Sequence, residues 1–190
     1  MLTRPLEDSK ELIIKFKSLG YDVSHLPVIK IIKQEIKNID LLEFAGIIFT
    51  SANSVKFLDT KKLNKSIYCF CVGSATEKEA LNKGFQNVYA ADGNVNNLKE
   101  IIIQNYNKKK GKLLYVSGEL ITTNLHKQLI DEDYQVERIV NYNVEHITEL
   151  DLKFIDQLKK ICPISYMCIL KIVQKACSKL LKNMNLLTIG

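Results

Sequence analysis

Three short polar segments stand where ligand chemistry is possible: Phe49-Thr50-Ser51-Ala52-Asn53-Ser54, Val72-Gly73-Ser74-Ala75-Thr76 and Tyr115-Val116-Ser117-Gly118-Glu119. Each follows a strand-like apolar run (Gly46 to Phe49, Ile67 to Val72, Lys112 to Val116) and precedes a helix-like one. Loops at the carboxyl ends of strands are where open α/β sheets bind ligands. Ser, Thr and Gly suit such loops because they cap the next helix and leave its first N–H groups accessible. No Asp, Glu, His or Cys cluster accompanies them. A site built this way holds an anion through hydroxyls and backbone amides, without a metal or a strong nucleophile. Plain helix capping would use the same residues.

The elements that must position these loops alternate regularly. After an opening strand stub at Leu2-Thr3, Leu12, Ile13, Phe16 and Leu19 recur at helical spacing and Gly20 ends the helix. Tyr21 to Pro27 reads as a strand, extended by Val28 to Ile32. A new unit begins near Ile39. Its strands are expected at Gly46 to Phe49, Ile67 to Val72, Asn87 to Ala90, Lys112 to Val116 and Gln135 to Tyr142. Helices are expected between them at Ser54 to Leu63, Thr76 to Lys83, Asn96 to Tyr106 and Thr122 to Ile130. This rhythm implies an α/β fold, with five parallel strands over about 37–147 in a flavodoxin-like doubly wound sheet.

A faint internal repeat accompanies the alternation. Shifted by 113, Thr3-Arg4-Pro5 falls on Val116-Ser117-Gly118, and Tyr21-Asp22-Val23 falls on Tyr134-Gln135-Val136. A second shift, of about 120, places Ile48 to Ser51 on Cys168 to Lys171, so residues 149–190 read as the start of a second pass through the same fold.

Composition removes several classes. At 190 residues and 46% hydrophobic, the chain has room for one large or two small α/β domains. No run approaches the roughly 20 apolar residues of a membrane span. Met1 to Pro5 lacks the build of a secretory signal, so the cytoplasm is the expected compartment. Of the five cysteines, Cys69 and Cys71 share one strand face and read as small core residues, and Cys162, Cys168 and Cys177 also sit in apolar runs. No zinc spacing exists, and His25, His126 and His146 are scattered. Of the net charge of +6, residues 151–190 carry +5, seven Lys against Asp151 and Asp156. The first 150 residues therefore carry only +1. Lys171, Lys175, Lys179 and Lys182 recur at helical spacing as a solvated face, so nucleic acid is not the expected partner.

Taken in order, these segments resemble uroporphyrinogen-III synthase. The resemblance rests on Leu2-Thr3-Arg4-Pro5, Gly20 to Val23, Pro27, the three loops, Gly84, Ala90 to Asn94 before Leu98, and Tyr142. It implies an enzyme that takes linear hydroxymethylbilane, loses water, inverts the last pyrrole ring and closes uroporphyrinogen III. It implies no metal and no organic cofactor, a small-molecule substrate, no nucleic acid or membrane partner, and a monomer. It also implies two flavodoxin-like domains joined by a two-stranded ladder, Leu26 to Ile36 against Ile139 to Ile147. One domain would be inserted (37–147), the other discontinuous and incomplete (1–32 with 149–190).

The resemblance assigns Tyr142 as candidate proton donor, with packing in the ladder as its plainer role. Ser51, Ser54, Thr76, Ser117 and Gly118 match the family's substrate loops, Thr76 having helix N-cap as its alternative. Where members continue through another Gly- and Thr-bearing loop, this sequence reads Leu187-Thr188-Ile189-Gly190. Where they often carry hydroxyls after the returning strand, it reads Leu170-Lys171-Ile172-Val173. A non-catalytic remnant of the family and an unrelated flavodoxin-like binding module are the alternative readings. The acidic cluster of a receiver and the glycine fingerprint of a dinucleotide or P-loop site are both absent.

Overall fold

Phe44–Phe49 and Lys112–Gly118 are near-continuous apolar runs, and a strand of that kind is stable only where both sheet faces are covered. The computed structural model describes residues 2–23, 25, 27–36 and 39–147, and it places these two runs side by side at the centre of a six-stranded sheet. The elements are α1 (Leu6–Ser18), β1 (Ile29–Lys33), β2 (Phe44–Phe49), α2 (Ala52–Phe57), β3 (Tyr68–Val72), α3 (Ser74–Asn82), β4 (Asn87–Ala91), α4 (Val95–Asn105), β5 (Lys112–Gly118), α5 (Leu125–Ile130) and β6 (Val136–His146). Expectations for residues 148–190 lie outside the described residues. They include Cys162, Cys168 and Cys177, the lysine face, the second repeat and the distal part of the discontinuous domain. The same holds for Ser24 and Leu26.

The chain divides into two compact units, one running from Ile32 to Val144. Within it, β2 to β6 are all parallel, in the order β6-β5-β2-β3-β4. Helices cover both faces. On one side Val55 of α2, Leu58 just after it and Ala80 of α3 pack with Phe49, Cys69, Cys71 and Val116. On the other, Leu98 and Ile102 of α4 and Leu125 and Leu129 of α5 pack with Ile48, Phe70, Leu113 and Tyr115. Cys69 and Cys71 do share a face, their sulfurs 3.8 Å apart in the first of these cores.

The strand order is that of a flavodoxin-like sheet, 2-1-3-4-5, entered by the chain at its third strand. The chain fills β2, β3 and β4 outward, then crosses back to lay β5 on the other side of β2 and β6 beyond it. The topological switch point therefore falls between β2 and β5. β1 is added beyond β6 in the opposite direction. The Gln34 N–H donates to the Asn141 carbonyl and the Ile147 N–H to that of Val28, both at 2.9 Å.

Three expected elements differ, one of them α5, which starts at Leu125 after its cap Asn124 and not at Thr122. Tyr21 to Pro27 forms no extended strand among the described residues, where its pairing is a parallel bridge between Leu2 and His25. The helix expected over Ser54 to Leu63 starts earlier and stops at Phe57, where Leu58 turns to extended backbone. Both Leu58 and Leu63 are buried, and the Asp59 carboxylate accepts the Lys61 N–H to form the turn between them.

The 113-residue repeat has structural content. The Leu2–His25 bridge maps onto the Tyr115–Arg138 register pair. Gly20, at φ +82°, maps onto Asp133, at φ +60° and alone among non-glycine described residues in having positive φ. The Tyr21 N–H to Phe16 carbonyl bond that closes α1 maps onto the Tyr134 to Leu129 bond that closes α5. The same helix-ending turn is made twice, once with glycine and once with an aspartate, a residue that tolerates that conformation better than most.

Candidate functional site

The switch point gathers the first and third polar loops. After β2, Ser51 caps α2, its hydroxyl accepting the Asn53 N–H at 3.2 Å. The Ser54 hydroxyl donates to the Ser51 carbonyl at 2.6 Å and is fully buried. The Thr50 hydroxyl meets the Tyr115 phenol at 3.2 Å, which ties the end of β2 to β5. Burial pushes the Tyr115 phenol above its usual range, with the Thr50 bond and the nearby Arg138 charge opposing that shift.

After β5, the loop is held by β6. Arg138 donates through Nε to the Ser117 hydroxyl at 2.8 Å, and through Nη2 to the Gly118 carbonyl at 2.8 Å and the Glu119 carbonyl at 3.1 Å. The Ser117 hydroxyl passes its own proton to the Gly118 carbonyl at 3.0 Å. It is therefore engaged on both sides, and the residue is buried.

A β-bulge sits opposite this loop. Ser117 pairs with Val140 and Gly118 with Tyr142, leaving Asn141 as the extra residue. Asn141 is fully buried, and its carboxamide N–H donates to the Ser54 carbonyl at 2.8 Å. Its Oδ1 is buried with no hydrogen-bond partner among the described residues. The half-buried Tyr142 ring lies across Gly118, and its centroid is 6.3 Å from that of Phe57 at the end of α2. Tyr142 thus touches the element that follows β2 and the end of β5 together.

Of the expected site residues, the fold brings Ser51, Ser54, Ser117, Gly118 and Tyr142 to the switch point. Thr76 lies one strand further out, after β3. It is buried in the first turn of α3, and it is not the cap: the N-cap is Gly73, whose carbonyl accepts the Thr76 N–H at 3.1 Å. The helix starts at Ser74, two residues earlier than expected, with Gly73 at positive φ as its cap. Both α2 and α5 are six residues long, so these loops offer unpaired N–H groups rather than the dipole of a long helix. Among the described residues no three of His, Cys, Asp and Glu could together hold a metal ion, and no helix is long and apolar enough to cross a membrane.

A family model described as uroporphyrinogen-III synthase HemD matches residues 10–189. The chain belongs to the uroporphyrinogen-III synthase family. The solved structure of uroporphyrinogen-III synthetase from Helicobacter pylori 26695 shares the fold, at a TM-score of 0.57 and 17% identity, over 86% of this chain and 74% of that one. A mutant uroporphyrinogen III synthase from the extremely thermophilic bacterium Thermus thermophilus gives a TM-score of 0.48 and 15% identity, over 82% and 66%. No curated protein matches the sequence significantly.

For this member of the uroporphyrinogen-III synthase family, sequence reasoning missed Arg138, Asn141, Thr50 and Tyr115. One signal was present for Arg138. Arginine occurs only twice among 27 basic residues, and one of the two stands inside a predicted strand. Asn141 gave no signal, because a bulge is a property of the strand pair and not of one strand.

Proposed function

We propose that this chain is a uroporphyrinogen-III synthase that dehydrates and cyclises hydroxymethylbilane with inversion of its last pyrrole ring. The observation that carries the reading is the seat of Tyr142 between Gly118 and Phe57, at the switch point of a sheet from this family. The electron-rich pyrrole expels the hydroxyl readily, so the protein has to supply shape and modest acid assistance. In the proposal the Tyr142 phenol gives its proton to the departing hydroxyl, which leaves as water.

The substrate's eight carboxylates are received by the loops that carry Ser51, Ser54, Thr76, Ser117 and Gly118. The Ser51 hydroxyl accepts one bond in capping α2 and keeps its own hydrogen to donate. Ser54 and Ser117 spend their protons inside their loops, so their share lies in shaping the backbone. The reading includes the division into an inserted domain (37–147) and a discontinuous one (1–32 with 149–190), acting in the cytoplasm as a monomer without metal or organic cofactor.

The test supplies freshly made hydroxymethylbilane to the purified chain, then oxidises the products and separates the uroporphyrin isomers. A predominance of isomer III is expected. Isomer I alone, the product of spontaneous closure, would overturn the reading in favour of a non-catalytic remnant.

A further inference from the structure

Strand β6 holds the loop after β5 in two places. Arg138 takes Ser117, Gly118 and Glu119 in one planar fork. Four residues along, the Tyr142 carbonyl accepts the Glu119 N–H at 3.0 Å. Gly118 lies between these two holds, directly against the Tyr142 ring. A guanidinium fits this task because its donors point in fixed directions from one rigid group. Among the described residues no carboxylate pairs with Arg138, and its hydrogen bonds go to the loop.

The N-terminal repeat makes a related hold with a different residue. Under the 113-residue shift Arg138 corresponds to His25, and Ser117 corresponds to Arg4. The His25 ring, through Nε2, is hydrogen-bonded to the Arg4 carbonyl at 2.8 Å. In each repeat the side chain paired with the end of the first strand or bridge, Arg138 or His25, reaches back to the segment leading into the helix. Its recurrence with two unlike side chains points to a demand of the loop rather than to incidental packing.

We propose that Arg138 is a positioning residue. It fixes the Ser117–Glu119 backbone and, through Gly118 and Glu119, the seat of the Tyr142 ring. Without the guanidinium, the Ser117 hydroxyl and the Glu119 carbonyl lose this donor, the Gly118 carbonyl keeps only the Ser117 hydroxyl, and Gly118 is free to lift from the ring. The catalytic half of this proposal rests on the reading of Tyr142 as proton donor, and the structural half does not.

The test uses the full chain as Arg138→Met and Arg138→Lys, with hydrogen exchange of the Glu119 amide, kcat, KM and thermal midpoint as readouts. Lysine keeps the charge but cannot span three acceptors, so it should fall between wild type and Met, and it serves alone if the Met variant does not fold. Glu119 exchange should accelerate by about tenfold or more, because its bond to the Tyr142 carbonyl opens more readily once the loop loses the three Arg138 hydrogen bonds. The value of kcat should fall about 10- to 100-fold, with KM within about threefold, because the acid is misplaced while the substrate still binds. An unchanged kcat beside an opened Glu119 amide would overturn the catalytic half, as would a kcat that falls only in step with the unfolded fraction. If the wild-type chain makes no isomer III, the exchange readout still decides the structural half: unchanged Glu119 protection in the tested variants overturns it.

Discussion

Gly118 and Tyr142 approach so closely that a β-carbon on Gly118 would stand 2.6 Å from Cζ of the tyrosine and 2.9 Å from its hydroxyl oxygen. No side chain fits there unless the ring moves. Gly118→Ala should therefore cost about 1–3 kcal/mol of stability, the usual cost of overpacking, and should lower kcat by displacing the phenol. Urea unfolding and isomer III formation measure the two effects. Wild-type values in both would show that the ring shifts freely and that its seat is unimportant.

Tyr142→Phe keeps the ring against Gly118 and Phe57 and removes only the hydroxyl. Acid assistance is typically a factor of about 10² to 10⁴, and the lower end is expected because the pyrrole nitrogen supplies much of the push. Turnover should fall by about that factor with Tm little changed. Full activity in the variant would exclude the phenol as proton donor.

Asn141 joins the β6 bulge to the first turn of α2 through its 2.8 Å bond to the Ser54 carbonyl. Asn141→Leu leaves that carbonyl without this donor, and an unsatisfied buried acceptor costs about 1–3 kcal/mol. Equilibrium urea unfolding should show a lower midpoint with an unchanged slope. A midpoint equal to wild type would mean that the carbonyl finds another donor.

Tyr106 is buried behind the sheet, its hydroxyl donating to the Gly111 carbonyl at 3.0 Å. Burial first, and then the nearby Tyr68, push its pKa up to about 12. In the unfolded chain the phenol ionises near its ordinary value of about 10. Its stabilising contribution is thus complete below about pH 10 and is lost as pH rises towards 12, because the unfolded state releases the proton first. The wild-type chain should lose stability over that window more steeply than Tyr106→Phe, by up to about 1.4 kcal/mol per pH unit. Parallel stability curves for the two would show that the phenol ionises equally easily in both states.

The sequence by itself determined the alternation of strands and helices over residues 39–147, the two-faced burial of β2 and β5, and the hydroxyl-rich character of the loops. Those properties follow from local periodicity and from residues such as Ser51, whose side chain caps the backbone two positions on. The repeat was also legible in the sequence, while the helix-ending turn that Gly20 and Asp133 each make became visible only in the structure.

Only the tertiary structure decided that β5 lies beside β2, and hence that Ser51, Ser54, Ser117, Gly118 and Tyr142 belong to one place while Thr76 does not. Strand order depends on crossovers, and a crossover leaves no mark on local periodicity. The Asn141 bulge, the reach of Arg138 across to Ser117, and the contact between Tyr142 and Gly118 likewise require the register of two strands separated by a helix. A side chain's own neighbours cannot specify that register. It is set when both faces of the sheet are buried, because a slip of one residue would take Val136 and Ile139 out of the opposite cores that each one joins.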